Sequence, residues 1–169
     1  MHKKFFLQII LLSVVALVSV ALALNKPVLD KIISFVIRRD ISKFEVTSKL
    51  KINNLILDIE VADTQVERQN GLANRESLGA NQGMLFIFEK EDKYRFWMKG
   101  LTFPLDFIWI KDRQIVDLRE NVPAPGPNQS DETLEVLIPK EKIDMVLEVN
   151  AGFIREHNTK IGDKVEFVK

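Results

Sequence analysis

The 169-residue chain contains no cysteine and only two histidines, His2 and His157. Without cysteine it can form no disulfide bond, thiolate nucleophile, zinc ribbon or iron–sulfur cluster. A metal site built on two histidines is excluded from the body of the chain, because His2 lies at its start. No G-x-S-x-G motif accompanies His157, so no serine-hydrolase signature is present. We therefore expect neither a metal nor a cofactor, and we assign no catalytic residue.

The chain also lacks net charge, with 24 basic and 24 acidic side chains, but the two signs are unevenly distributed. Residues 1–49 carry 8 basic and 3 acidic side chains, a net charge of +5. Residues 50–169 carry the remaining 16 basic and 21 acidic side chains, a net charge of −5. Nucleic-acid binding requires clustered Lys and Arg that replace counterions. The acidic part of the chain is therefore not expected to bind nucleic acid.

An apolar run occupies residues 5–24 and follows Lys3 and Lys4. As a helix it would be about 30 Å long, which matches the hydrocarbon thickness of a membrane. One interpretation is an uncleaved signal-anchor, a single transmembrane helix with its N-terminus in the cytoplasm. The alternative is a signal peptide that is cut after residues 21–23, which would release a secreted protein. Both interpretations place the rest of the chain on the extracytoplasmic side of the cytoplasmic membrane, and the first makes the membrane a partner.

The segment that follows differs from this run. Residues 27–40 alternate apolar and charged side chains with the period of an amphipathic helix, which could lie on the membrane surface or pack on the domain. Residues 41–52 are typical of a linker or a first irregular strand. We therefore divide the chain into an anchor or signal segment (1–26), an amphipathic helix with linker (27–52) and a globular β-rich domain (53–169).

The globular domain shows short strand patterns separated by turn residues. Two segments predict short helices, 64–72 and 151–158. The others predict strands, and these are 55–63, 84–88, 94–98, 105–110, 114–121, 133–139, 144–150 and 164–168. Residues 89–93 and 111–113 are expected to be turns, and the proline-rich residues 122–131 an extended loop. The predicted fold is α+β and predominantly β, a compact barrel-like sheet with two short helices.

The most informative stretch is residues 95–110, "RFWMKGLTFPLDFIWI", which contains both tryptophans of the chain. On a strand, Trp97 and Lys99 share one face, and Asp106 could come across from them after the turn at 100–104. A Trp beside a Lys–Asp pair can bind a small polar ligand. The structural alternative is that Trp97 fills the core and the Lys99–Asp106 pair holds a hairpin together.

Several motifs together resemble a known family. They are "ERQNGL", "GMLFIF", "FWMKGLTFPLDFIWI", "RENVP" and "VLEVNAGFIREHNTKIGDKVEF", in that order, and the chain is similar to the bacterial and archaeal family called domain of unknown function 192. The resemblance implies a small barrel-like α+β fold and frequent export or membrane attachment, and it implies no established activity. One departure is Gly100, which stands where the family usually has Asn.

The candidate ligand-binding residues are Trp97, Lys99 and Asp106, together with Glu67 and Arg68 from the family motif. Arg68 suits a carboxylate or phosphate ligand, since its guanidinium group can donate two parallel hydrogen bonds. We favour an extracytoplasmic binding or accessory module, tethered to the membrane, for a small polar ligand or an envelope protein. One alternative is an envelope hydrolase for carbohydrate or peptide bonds that pairs Asp106 with Glu67 or Glu120. The other is a purely structural interaction domain.

Overall fold

A computed structural model describes residues 48–168. Its strands are β1 (Ser48–Ile52), β2 (Leu55–Ala62), β3 (Gln82–Asp92), β4 (Leu105–Lys111), β5 (Gln114–Val122), β6 (Ile143–Asn150) and β7 (Val165–Val168). Its helices are α1 (Gln65–Asn70), α2 (Phe153–Glu156) and one 3-10 turn (Asp131–Thr133). The prediction of a predominantly β domain with two short α-helices is confirmed.

All seven strands belong to one sheet, in the order β5-β4-β6-β3-β2-β1-β7. The β2–β3 pair is parallel, so the chain needs a crossover between these strands, and α1 lies in it. A capping box starts α1: the Thr64 hydroxyl accepts a hydrogen bond from the Glu67 N–H, and the Glu67 carboxylate accepts one from the Thr64 N–H. The helix ends at Gly71, whose φ of 49° is a left-handed conformation that glycine adopts without a steric penalty.

Apolar side chains cover both faces of the sheet, and β4 therefore lies almost wholly in the core. Leu105, Phe107 and Trp109 point into a cluster beneath the connections that follow α1 and β3. Ile108 and Ile110 point into a second cluster that includes residues of β1, β2 and α2. Burying a side chain of this size contributes about 1.5–3 kcal/mol to the stability of the fold. The two clusters therefore stabilise the sheet from both of its faces.

The sheet is open, which corrects the barrel-like prediction. Its edge strands β5 and β7 meet at one end, where Gln114 forms an isolated bridge with Lys164 and the Val165 N–H donates to the Arg113 carbonyl over 2.9 Å. No ladder between β5 and β7 extends from this contact within the described residues. The contacts with the start of β5 come from residues 162–165, and the remainder of the short β7 pairs with β1 alone.

Two predicted strands are wrong, and one is too short. Residues 94–98 and 133–139 form no strand and share only the isolated bridge between Phe96 and Leu137. Their apolar side chains pack on the cluster that contains Leu105, Phe107 and Trp109, but their backbones do not add strands to the sheet. Residues 89–92, expected to be a turn, extend β3 to Asp92. The turn at 111–113 is confirmed as a hairpin, with Asp112 and Arg113 at φ values of 49° and 61°.

The predicted signal-anchor (residues 5–24) and amphipathic helix (residues 27–40) lie outside the described residues. Within residues 48–168, none of the helices has the length and apolar character needed to cross a membrane. The sheet begins with β1 at Ser48, before the predicted domain boundary at residue 53.

Candidate functional site

A groove of about 1240 Å³ opens between α1, the loop after it, β3 and the irregular segment 94–101. We call it the aromatic groove. Its lining includes Arg68, Leu72, Phe86, Phe88, Tyr94, Arg95, Phe96, Trp97, Lys99, Gly100 and Glu148. The groove is somewhat larger than the roughly 300–1,000 Å³ of typical small-molecule sites, and like them it combines an apolar lining with a few polar groups.

Aromatic rings form the wall of the groove. Phe86 and Phe88 share one face of β3 because side chains alternate along a strand. The ring of Phe88 stacks on Tyr94 with centroids 3.6 Å apart, and Phe96 meets Phe86 edge to face at 5.7 Å. Trp97 stands at the rim with 53% of its surface exposed, so it does not fill the core. An exposed Trp beside a ring-lined groove offers a flat apolar surface to a ligand.

Two glycines let the chain pass close to this wall. Gly71 and Gly100 have φ values of 49° and 71°. A Cβ atom at Gly71 would lie 3.3 Å from the Phe86 ring, and one at Gly100 would lie 3.1 Å from the Cβ of Ala73. The Asn74 N–H donates to the Gly100 carbonyl over 2.8 Å and ties the two loops together. Asn, the usual family residue at position 100, also tolerates this left-handed conformation, so the change to Gly preserves the backbone while removing an amide.

Glu148 lies at the floor of the groove, two residues before the end of β6. It pairs in register with Met84 on one side and Phe107 on the other, and only 5% of its surface is exposed. None of residues 48–168 donates a hydrogen bond to its carboxyl group. Burial raises the pKa of Glu148 to about 8, because removal from bulk water disfavours the charged form of a carboxyl group.

Three of the five predicted residues line this groove: Arg68, Trp97 and Lys99. The Arg68 guanidinium lies 5.3 Å above the Phe88 ring, and its Nη1 donates to the carbonyls of Asp63 and Ile87, the latter over 2.8 Å. These contacts hold the guanidinium in one orientation at the groove.

The rim of the groove carries more positive than negative charge. Lys99 forms an ion pair with Asp131 over 2.7 Å, and both side chains are more than half exposed. The charged residues that line the groove are Arg68, Glu89, Lys90, Arg95, Lys99 and Glu148. Asp131 neutralises Lys99, which leaves Arg68, Lys90 and Arg95 against Glu89 when the buried Glu148 is in its acid form, so the rim has an excess of positive charge.

The other two predicted residues do not line the groove. Glu67 belongs to the capping box of α1, and hydrogen bonds from the backbone and side chain of Thr64 lower its pKa. Asp106 is fully buried on β4 and accepts hydrogen bonds from the N–H groups of Asn121 at 2.7 Å and Ile154 at 2.9 Å. It joins β5 to the first turn of α2. The predicted Lys99–Asp106 pair is therefore wrong, since each residue has another partner.

Glu148, the most buried polar group of the groove, was not among the predicted residues. A signal is present in "DMVLEVN", where Glu148 is the one charged residue in the apolar run from Met145 to Val149. The hydrolase interpretation needed Asp106 beside Glu67 or Glu120. Asp106 holds two backbone groups and Glu67 caps a helix, so these carboxylates do not form a pair in the groove. The arrangement provides instead a ring-lined surface, a buried acid and a cationic rim.

Solved structures that resemble this chain include the following two. One is a "putative transcription regulator" from Sinorhizobium meliloti 1021, with 26% identity and a TM-score of 0.64, covering 71% of this chain and 92% of that one. The other is a protein of unknown function from Novosphingobium aromaticivorans DSM 12444, with 28% identity and a TM-score of 0.63, covering 70% of this chain and 83% of that one. No curated protein matches the chain.

A family profile also matches residues 47–167, which include six strands of the sheet and all but the last residue of β7. The family is described as "Uncharacterized ACR". This match covers more than half of the chain and agrees with the motifs seen in the sequence. The chain therefore belongs to the domain of unknown function 192 family.

Proposed function

We propose that this protein is a binding module for a small ligand that lies in the aromatic groove. The observation that carries the proposal is Glu148, a buried carboxyl group that faces the groove and receives no hydrogen bond from the described residues. Burial costs a carboxyl group most of its contact with water, and residues 48–168 supply no hydrogen bond in exchange. A ligand that pairs with Glu148 would offset this cost, which is a reason for a fold to keep it.

The rest of the groove supports binding more than catalysis. Trp97 and the rings beside it can pack against the apolar part of a ligand, and Arg68 is held in place at the wall by two carbonyls. We find no specific support for the hydrolase alternative, because Glu67 and Asp106 are engaged elsewhere.

The test is a thermal-shift screen of the full-length chain against a small-molecule library, since a ligand that binds the native state raises the melting temperature by mass action. Ligands that stabilise the wild type should lose their effect in Trp97→Ala. They should keep it in Phe167→Ala, which removes an exposed ring that does not line the groove. A library without a stabilising ligand, or ligands indifferent to Trp97→Ala, would contradict the proposal.

We further propose that the apolar run at residues 5–24 tethers this module to the cytoplasmic membrane, with the domain on the extracytoplasmic side. The support is the sequence: Lys3 and Lys4 precede the run, and basic residues remain on the cytoplasmic side. In untreated cells the full-length protein should be found in the membrane fraction. Protease added to intact spheroplasts should digest the domain. A protected domain, or a soluble mature chain that begins near residue 24, would rule out the anchor.

A further inference from the structure

We propose that the aromatic groove takes an anionic small molecule with a flat apolar body and a second, neutral acceptor oxygen, and that Glu148 donates its carboxyl proton in a hydrogen bond to that oxygen. The inference rests on the proposed function and goes beyond it, because it names the chemistry of the ligand. Three parts of the groove carry it: the floor, the rim and the wall between them.

The floor provides a donor. Glu148 is 5% exposed, and the side chains opposite it on the two neighbouring strands are Met84 and Phe107, so nothing charged flanks it in the sheet. In this setting the neutral acid is favoured over the carboxylate. The raised pKa of about 8 means that the group carries its proton at neutral pH. A neutral carboxylic acid can donate a hydrogen bond, and among the described residues no acceptor takes it.

The rim provides the positive charge. Four cations line the groove against Glu89, one of them, Lys99, is paired with Asp131, and Tyr94 is the remaining titratable group of the rim. The cations are Arg68 on α1, Lys90 on β3, and Arg95 and Lys99 on the segment 94–101. None of these groups contributes to the raised pKa of Glu148, whose only cause is burial. A ligand that uses both parts of the groove must reach from the cationic rim to the buried Glu148.

The wall between rim and floor is aromatic. The stacked pair of Phe88 and Tyr94, the edge-on ring of Phe96 and the exposed Trp97 line this part of the groove. Rings of this kind favour a flat apolar body, which can stack on them. The ligand class is therefore an aromatic or similarly flat acid that carries a carbonyl, ether or hydroxyl oxygen away from its anionic end.

Three probes of nearly equal shape separate the contributions. Para-acetylbenzoate has both the anion and the carbonyl acceptor, para-isopropylbenzoate lacks the acceptor, and para-acetylbenzylamine replaces the anion by a cation. Each is titrated into the full-length, isotope-labelled protein, and the dissociation constant is obtained from shifts of the Trp97 indole signal. At about pH 6.5 we expect para-acetylbenzoate to bind about threefold to tenfold more tightly than para-isopropylbenzoate, the range for one net hydrogen bond. We expect it to bind more tightly than the amine as well.

The donor role predicts a particular pH dependence. At about pH 9.5, above the pKa of Glu148, the preference for para-acetylbenzoate over para-isopropylbenzoate should disappear, because a carboxylate has no proton to donate. Glu148→Gln keeps a donor at every pH and should retain the preference at both. Glu148→Leu should bind the two benzoates equally at both. Circular dichroism at each pH confirms that every variant is folded before it is compared.

Other outcomes would overturn the inference in distinguishable ways. Equal binding of the two benzoates by the wild type at about pH 6.5 would refute the donor role while the groove remains a binding site. Tighter binding of the amine, increasing with pH, would mean that Glu148 acts as a carboxylate toward cations. If none of the probes shifts the Trp97 signal, this ligand class is wrong. If, in addition, no library compound stabilises the protein, the proposed function fails as well.

Discussion

The buried carboxyl of Glu148 should make the stability of the protein fall as the pH rises. In the unfolded chain the group ionises around its ordinary pKa of 4.5, whereas in the folded protein it keeps its proton up to a pKa of about 8. Between these values the folded state binds one proton more than the unfolded state, so the free energy of unfolding decreases with pH. The contribution of Glu148 is fully present below pH 4.5 and is lost as the pH rises through about 8.

The size of this effect follows from the two pKa values. In the range where only the folded state holds the proton, the free energy of unfolding falls by about 1.4 kcal/mol for each pH unit. From about pH 5 to about pH 8 the free energy of unfolding should therefore decrease by roughly 3–4 kcal/mol through this one residue. That is a large part of the stability of a typical domain, which is about 5–15 kcal/mol.

Urea denaturation of the wild type and of Glu148→Gln, at several values across this pH range, measures the effect directly. Glutamine has nearly the same shape and does not titrate, so the variant should not show this decrease. Its free energy of unfolding should therefore rise relative to that of the wild type as the pH increases. Asp144, whose pKa burial also raises, is present in both proteins and cancels from the difference. Parallel pH profiles for the two proteins would refute the claim that Glu148 is buried as an unpaired acid.

Four further outcomes are expected. Asp106→Asn should lower the free energy of unfolding by roughly 1–3 kcal/mol in chemical denaturation, because the amide can no longer accept from the N–H groups of both β5 and α2. Trp97→Ala should cost less than about 1 kcal/mol in the same assay, since the ring is half exposed, and a larger loss would mean that it is a core residue. Glu67→Ala should remove half of the capping box and cost about 1 kcal/mol or less, and no change would show that the cap is dispensable. Residues 47–169 expressed alone should give a circular dichroism spectrum dominated by β-structure, and a helical spectrum would contradict the fold.

The parts of the fold that could be predicted from the sequence are those fixed by local chemistry. Thr64 and Glu67 have the spacing of a capping box, and Gly71 supplies the left-handed residue that ends the helix. Asp112 and Arg113 form the hairpin turn between β4 and β5, and both strands show clear apolar patterns. These signals act over a few residues, so a sequence is enough to find them.

The irregular segments were mispredicted because an alternating pattern identifies a buried face and not a hydrogen-bonding partner. Phe96 and Leu137 both pack against the cluster of Leu105, Phe107 and Trp109, so they are buried as the inward-facing residues of a strand would be. Their backbones meet each other at one bridge and join no ladder of the main sheet. Whether an apolar segment becomes a strand depends on whether an edge is free, which is decided by the rest of the chain.

The site was only partly predictable for a similar reason. Trp97 and Lys99 were found from an unusual local composition, but the partner of Lys99 is Asp131, which is distant in the sequence. Asp106 is held by groups of β5 and α2, which also lie far along the chain. The burial of Glu148 depends on β3, β4 and the cover formed by segment 94–101, so no local pattern could establish that its carboxyl group lacks a partner.

The most direct test of the account is an NMR titration of the Glu148 side-chain carboxyl carbon, without ligand and with saturating para-acetylbenzoate. We expect the free group to titrate at about 8 and the ligand to raise this pKa further, because a ligand that binds the acid form more tightly stabilises it. A free Glu148 that titrates at its ordinary value of 4.5, or a ligand that lowers its pKa, would contradict the claim that a buried acid forms the floor of the binding site.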